Sequence, residues 1–133
     1  MTIQNSAAVR NAQGDAWEAA IGASARLRLY TGAQPSSCVA AEAGTLVIEY
    51  ALASDWSPAA SGGAKFLSSL PLTGAASSAG TIGHYRIYDS TGTTCHEQGT
   101  CLTSGGDMTI DNATVTAGQI INVTGFTKTW PGA

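Results

Sequence analysis

Gly83-His84-Tyr85-Arg86-Ile87-Tyr88-Asp89-Ser90-Thr91-Gly92 decides how the chain is read. Tyr85 and Ile87 alternate with His84, Arg86 and Tyr88, and a period of two puts successive side chains on opposite faces of a strand. Asp89 to Gly92 has the residues of a hairpin turn, so Thr93 to Cys101 is expected to return antiparallel. The same alternation runs through Ala25 to Tyr30, where Leu27 and Leu29 oppose Arg26, Arg28 and Tyr30. It recurs in Thr45 to Leu52 and Gln119 to Thr129, and in short pieces at Ala64 to Leu67 and Asp107 to Asp111. Leu70, Pro71 and Leu72 suit an edge strand, since proline cannot donate to a ladder. Ala33 to Gly44 and Thr73 to Gly80 read as loops.

Seven or eight short strands separated by Gly, Ser, Thr and Asn clusters predict an all-β fold, an antiparallel β-sandwich of jelly-roll-like or related Greek-key topology. One α-helix is expected before it, from about Ala7 to Ile21, with Ser6 as N-cap and Gly22 as stop. Val9, Ala12, Ala16 and Ala20 recur at helical spacing, and Trp17 and Ile21 form an i, i+4 pair. Gly14 in its middle costs about 1 kcal/mol relative to Ala, so the helix needs its Trp17 side docked. The division expected is a helical arm over residues 1–22 and one β-sandwich domain over residues 23–133.

A length of 133 residues fits one domain. Ala, Gly, Ser and Thr make up about half of it, and 11% of residues are charged where about 25% is usual. Thin side chains bury little area each, so association with a partner would help offset chain entropy. Six Lys and Arg against nine Asp and Glu give a net charge of −3, which argues against a nucleic-acid partner needing a basic stripe. Met1 to Arg10 does not read as a signal peptide, and no run approaches the ~20 apolar residues of a membrane span. Three cysteines, Cys38, Cys95 and Cys101, leave at least one unpaired, which suits a reducing compartment such as a bacterial cytoplasm.

Chemistry-bearing patterns are few. Cys95, His96 and Cys101 with His84 are the most metal-like set, but their spacing lacks the tight knuckle of zinc sites, and no metal or other cofactor is expected. A Cys95–Cys101 disulfide is a separate option. Asp107 and Asp111, four residues apart on a strand, stand about 13 Å from each other, too far for paired carboxylate catalysis. No phosphate loop, nucleophile elbow, EF-hand or dinucleotide fingerprint occurs, so the chain is not read as an enzyme. The aromatic residues suit a core, a protein interface or, less often, a sugar-binding face. Trp130 and Pro131, close to the chain end, are read as a docking tail.

The chain resembles the capsid cement, or decoration, proteins of tailed bacteriophages, in particular those of short-tailed phages of the Bordetella type. The resemblance rests on Ala16 to Gly22, on Ala25-Arg26-Leu27-Arg28-Leu29-Tyr30-Thr31-Gly32 and on Gly83 to Gly92. It continues through Gln98-Gly99, Asp107-Met108, Ile110-Asp111-Asn112, Gly118-Gln119 and Phe126-Thr127. It implies a jelly-roll on the outer surface of an icosahedral head, forming a homodimer and bridging neighbouring major capsid protein subunits against the pressure of packaged DNA. On that reading the residues expected at the capsid or partner interface are Trp17, Ile21, Arg26, Arg28, Trp130 and Pro131. The competing expectation is a receptor- or glycan-binding module at a tail tip or on a fibre, since one architecture hosts many roles.

Overall fold

The computed structural model describes residues 3–130. One helix, α1 (Ala7–Ile21), precedes nine strands: β1 (Arg26–Thr31), β2 (Leu46–Ala51), β3 (Ala64–Phe66), β4 (Leu72–Ala75), β5 (Gly80–Tyr88), β6 (Cys95–Leu102), β7 (Met108–Ile110), β8 (Thr114–Val115) and β9 (Ile120–Thr129). The fold is therefore mostly β with one helix. The strands follow one path, β2-β1-β5-β6-β7-β9-β3, with β4 also on β9 and β8 on β5. The hairpin read from Gly83 to Cys101 is present, with Tyr85 opposite Gly99 and Ile87 opposite Glu97.

Two expectations are corrected. Pairing is not antiparallel throughout, because β6 and β7 run parallel, Cys101 beside Met108. After Leu102 the chain loops through residues 103–107 and re-enters in the direction it had been travelling. Nor are there two separately bonded sheets: one mixed sheet curls like a half-barrel until β4 returns to β2. Ser77 donates to the Val47 carbonyl through both N–H (2.8 Å) and Oγ (3.0 Å). The Tyr50 hydroxyl reaches the Ile121 carbonyl at 2.8 Å. Gly74 makes this approach possible, since a Cβ there would lie 2.8 Å from Ile48 Cδ1. The ladder to β9 makes Leu72–Ala75 a strand, so Thr73 to Ala75, expected in a loop, are paired.

Leu27, Leu29, Ile87, Met108, Ile110, Ile121 and Val123 fill the concave side, each nearly or fully inaccessible. α1 starts where Ser6 Oγ accepts from the Val9 N–H (3.2 Å) and stops at Gly22, whose φ of 91° is cheap only for glycine. Its docked side carries Trp17, whose ring meets Trp56 edge-on at 5.1 Å, Phe126 stacked at 6.2 Å and Trp130 edge-on at 5.9 Å. Asn11 and Asp15 accept from the Gly63 and Ala60 backbone N–H groups, both at 2.8 Å, and stitch the helix to the segment before β3.

Gly14 is the point of closest approach. A Cβ there would stand 2.9 Å from Lys65 Cγ and 3.1 Å from both Ala60 Cβ and Trp130 Cζ3. Gly14→Ala should gain about 1 kcal/mol of helix propensity and lose more to overpacking, which costs about 1–3 kcal/mol. A lower urea midpoint at unchanged slope is the expected result, and a raised midpoint would show that the helix lifts freely off its seat.

Candidate functional site

Two polar assemblies stand out, one on each face of the β1-β5-β6 region. On the convex face, residues 32–45 form a strap laid across the strands. Arg86, only 2% exposed, holds it: its guanidinium donates to the carbonyls of Ser37 (3.0 Å) and Ala40 (2.9 Å), to Gln98 Oε1 (3.1 Å) and to the Tyr88 hydroxyl (3.1 Å). Gln98 donates to the Pro35 carbonyl, and the Tyr30 hydroxyl to Glu42. Burial first, and Glu42 second, push the Tyr30 phenol far above its ordinary value, so it stays a donor. His84 stacks on Tyr30 at 5.2 Å and is bonded through Nδ1 to the Gly32 carbonyl.

Cys95 belongs to this face. A β-bulge at His96 puts Ile87 opposite Glu97 but Tyr88 opposite Cys95, so Cys95 turns outward while Cys101 stays in the core. That separation rules out the Cys95–Cys101 disulfide, and all three thiols are free. Burial, then the neighbouring Cys38 thiol, push the Cys95 pKa up to about 12. No group of three or more His, Cys, Asp or Glu among the described residues is arranged to hold a metal ion.

The concave assembly is built around Glu97, 9% exposed on β6. Its carboxylate accepts from the Trp17 indole (3.1 Å) and the Tyr85 hydroxyl (2.8 Å), and is ion-paired with Lys128. The Lys128 ammonium also lies 5.2 Å from the Trp17 ring and 5.6 Å from that of Trp130. Burial, followed by the charge of Glu97, raises the Tyr85 pKa strongly and keeps the phenol protonated. Above this cluster is an open cleft of about 360 Å³, lined among others by Gln98, Asp107, Thr127 and Thr129. It lies before β7 begins at Met108, so β6 and β9 flank a space with no strand in it.

The residues expected at an interface fall into different settings. Ile21 is 4% exposed and lies in the core, which corrects its assignment to a partner surface. Trp17 is partly buried against that core, holds Glu97 and seats the helix. Arg26 and Arg28 share Glu49 at 2.8 and 2.5 Å, and Arg28 lies over the Tyr88 ring at 4.4 Å. Trp130 is half-buried against Trp17, while Pro131 lies outside the described residues. Glu97 and Lys128, 31 positions apart, carried no signal as a pair in the sequence.

Asp107 and Asp111 each serve a turn. Asp107 Oδ2 accepts from the Thr100 N–H and hydroxyl, and Asp111 accepts from the Asn122 backbone (2.9 Å) and side chain (2.7 Å). The Asn122 N–H is the main cause of a lowered Asp111 pKa, against a partial opposing effect of burial. A carboxyl with a lowered folded pKa contributes stability above its ordinary value, 3.8, and loses it as pH falls through the folded value. Urea midpoints should therefore fall below about pH 4, and more steeply in the native protein than in Asp111→Asn; identical slopes would remove Asp111 from the acid response.

Comparison with family models, with curated proteins and with solved structures found no match to this chain.

Proposed function

We propose that this is a structural virion protein: it binds the outer surface of an icosahedral phage head, joins neighbouring major capsid protein subunits and stabilises the shell against packaged DNA. The sequence resemblance motivates this reading, together with the homodimer it implies. The structural observation that supports it is how the charges are used. Each of the six Lys and Arg side chains makes an intramolecular polar bond: Arg10 to the Gly62 carbonyl, Arg26 and Arg28 to Glu49, Lys65 to Glu18, Arg86 to the strap, Lys128 to Glu97. Meanwhile Ile3, Val9, Val39, Phe66, Leu102 and Ile120 stand 40% or more exposed. A surface whose cations are spent internally, and whose free groups are apolar side chains and small polar loops, adheres by shape and backbone hydrogen bonds. Weak contacts suffice when many copies act on one shell.

Protein synthesised in the host cytoplasm would join the shell from outside. No helix among the described residues is long and apolar enough to cross a membrane. The architecture called on is the curled half-barrel, with the jelly-roll topology a finer expectation of the resemblance. Quantitative mass spectrometry of purified particles, with heads and tails separated, tests the reading. Hundreds of copies in the head fraction are expected. A few to a few dozen in the tail fraction would replace it with a receptor- or glycan-binding module, and absence from both would end the virion assignment.

A further inference from the structure

The cleft above Glu97 is an interruption in the hydrogen-bond ladder. β7 lies between β6 and β9 and pairs with both, but only over Met108–Ile110. Two strands that flank a third stand about 10 Å apart, twice the inter-strand spacing. Beyond Met108 the flanking strands continue without a partner between them, and the 360 Å³ opening shows that they do not close up.

Alternation along the strands determines what the walls of this seam present. The Thr100 N–H is bonded to Asp107, on the side away from β5, so its neighbours two residues away face that side too. That places the backbone N–H and C=O of Gln98 toward the seam. On β9, the Trp130 N–H reaches the Gly63 carbonyl at 3.0 Å on the β3 side, so Thr129, opposite Ala64 in a non-bonded pair, directs its backbone toward the seam. Beneath the opening lie two carboxylates, Glu97 and Asp107, against one ammonium, Lys128, a formal charge of −1.

We propose that this seam is a docking slot for one extended segment of a partner polypeptide, which adds as a strand in line with β7 and directs a Lys or Arg side chain toward Glu97 and Asp107. Strand addition supplies hydrogen bonds on both sides, a common mode of peptide recognition. The inward side chain supplies selectivity, because a cation balances the second carboxylate and an anion is repelled. The identity of the partner as a shell protein rests on the function proposed above; the slot itself rests on the ladder and the charge.

The test uses the full chain, with its backbone amides followed by NMR, and the peptide acetyl-Thr-Val-Thr-Lys-Thr-amide at millimolar concentration. The amide signals of Gln98 and Thr129 are expected to shift and to exchange more slowly. The same peptide with glutamate for lysine should bind about tenfold more weakly, and a backbone N-methylated copy should leave both signals unmoved. No shift at these amides, or equal shifts with the N-methylated copy, overturns the slot. Thr129→Pro removes the seam-facing N–H and leaves the β3 ladder, so its melting temperature should hold while binding to purified heads drops about tenfold. If native protein binds heads and Thr129→Pro binds equally, the slot is wrong and the cement reading survives. If native protein fails to bind heads while the lysine peptide moves the seam amides, the cement reading falls and the slot stands.

Discussion

Lys65→Ala is expected to cost about 3–4 kcal/mol of stability, among the largest effects of any single change in this chain. Lys65 is fully buried on β3, and its ammonium meets Glu18 (2.6 Å), Asp15 (3.3 Å) and the Pro58 carbonyl (2.6 Å). Removing a buried ion's partner costs about 3–5 kcal/mol; the low end applies because Asp15 and Glu18 keep 53% and 22% exposure and can rehydrate. The aliphatic stem matters as well, since it packs beneath Gly14. Lys65→Met leaves the same two carboxylates and the Pro58 carbonyl without the ammonium but keeps most of the stem, so it should cost about 2–3 kcal/mol, less than Lys65→Ala by what the stem's packing contributes. Urea midpoints for the two variants check this ordering; equal losses would mean that the stem contributes nothing. The same geometry bears on residues 1–22 as a separable arm: deleting them would strip Lys65 of both carboxylates and Glu97 of the Trp17 indole.

The second large effect concerns Arg86→Lys. A guanidinium spreads donors over a planar fork, and here that fork serves two strap carbonyls, a side-chain amide and a phenol at once. A single ammonium on a shorter stem cannot span these acceptors. At least two are left buried without a donor, at about 1–3 kcal/mol each, so the substitution should destabilise by about 2–4 kcal/mol. Limited proteolysis gives a second readout: cleavage within residues 33–44 should become rapid while the sheet remains resistant. A strap that stays protected in Arg86→Lys would show that the Tyr30–Glu42 and Gln98–Pro35 bonds hold it unaided.

Local patterns were well expressed in the sequence. The alternation in β1, β2, β5 and β9, the turn at Asp89 to Gly92, and the Ser6 and Gly22 ends of α1 depend on neighbours only a few residues away, and each is where the pattern puts it. Long-range choices were not legible. Nothing in Met108–Ile110 records that it runs parallel to β6, because direction is decided by the loop's path. A period of two says which side chains share a face but not what covers it. The alternation puts Arg86 and His84 on one face, and nothing in it records that the strap buries both. Lys65 carries no local sign of its burial either, being a lone lysine in an Ala-Lys-Phe stretch with its carboxylates on a helix about 50 positions earlier. The candidate site shared this fate. Glu97 on β6 and Lys128 on β9 are 31 positions apart, and their meeting depends on the sheet's curl.

Trp17 rests on Trp56, Phe126 and Trp130, and this has a consequence for how the protein is made. The helix precedes every strand in the chain, and two of its three aromatic neighbours, Phe126 and Trp130, follow Trp17 by about a hundred residues. At about 5–20 residues per second, synthesis of the intervening hundred or so residues takes on the order of 5–20 s. Throughout that time Trp17 and Ile21 have no finished surface to cover them, and a helix of this length is marginal alone in water. The nascent chain thus carries an unsheltered apolar segment until β9 has been made, the interval in which a holdase would engage it. Completion of β9 and Trp130, rather than formation of the helix, is what first supplies the full aromatic surface on which Trp17 rests.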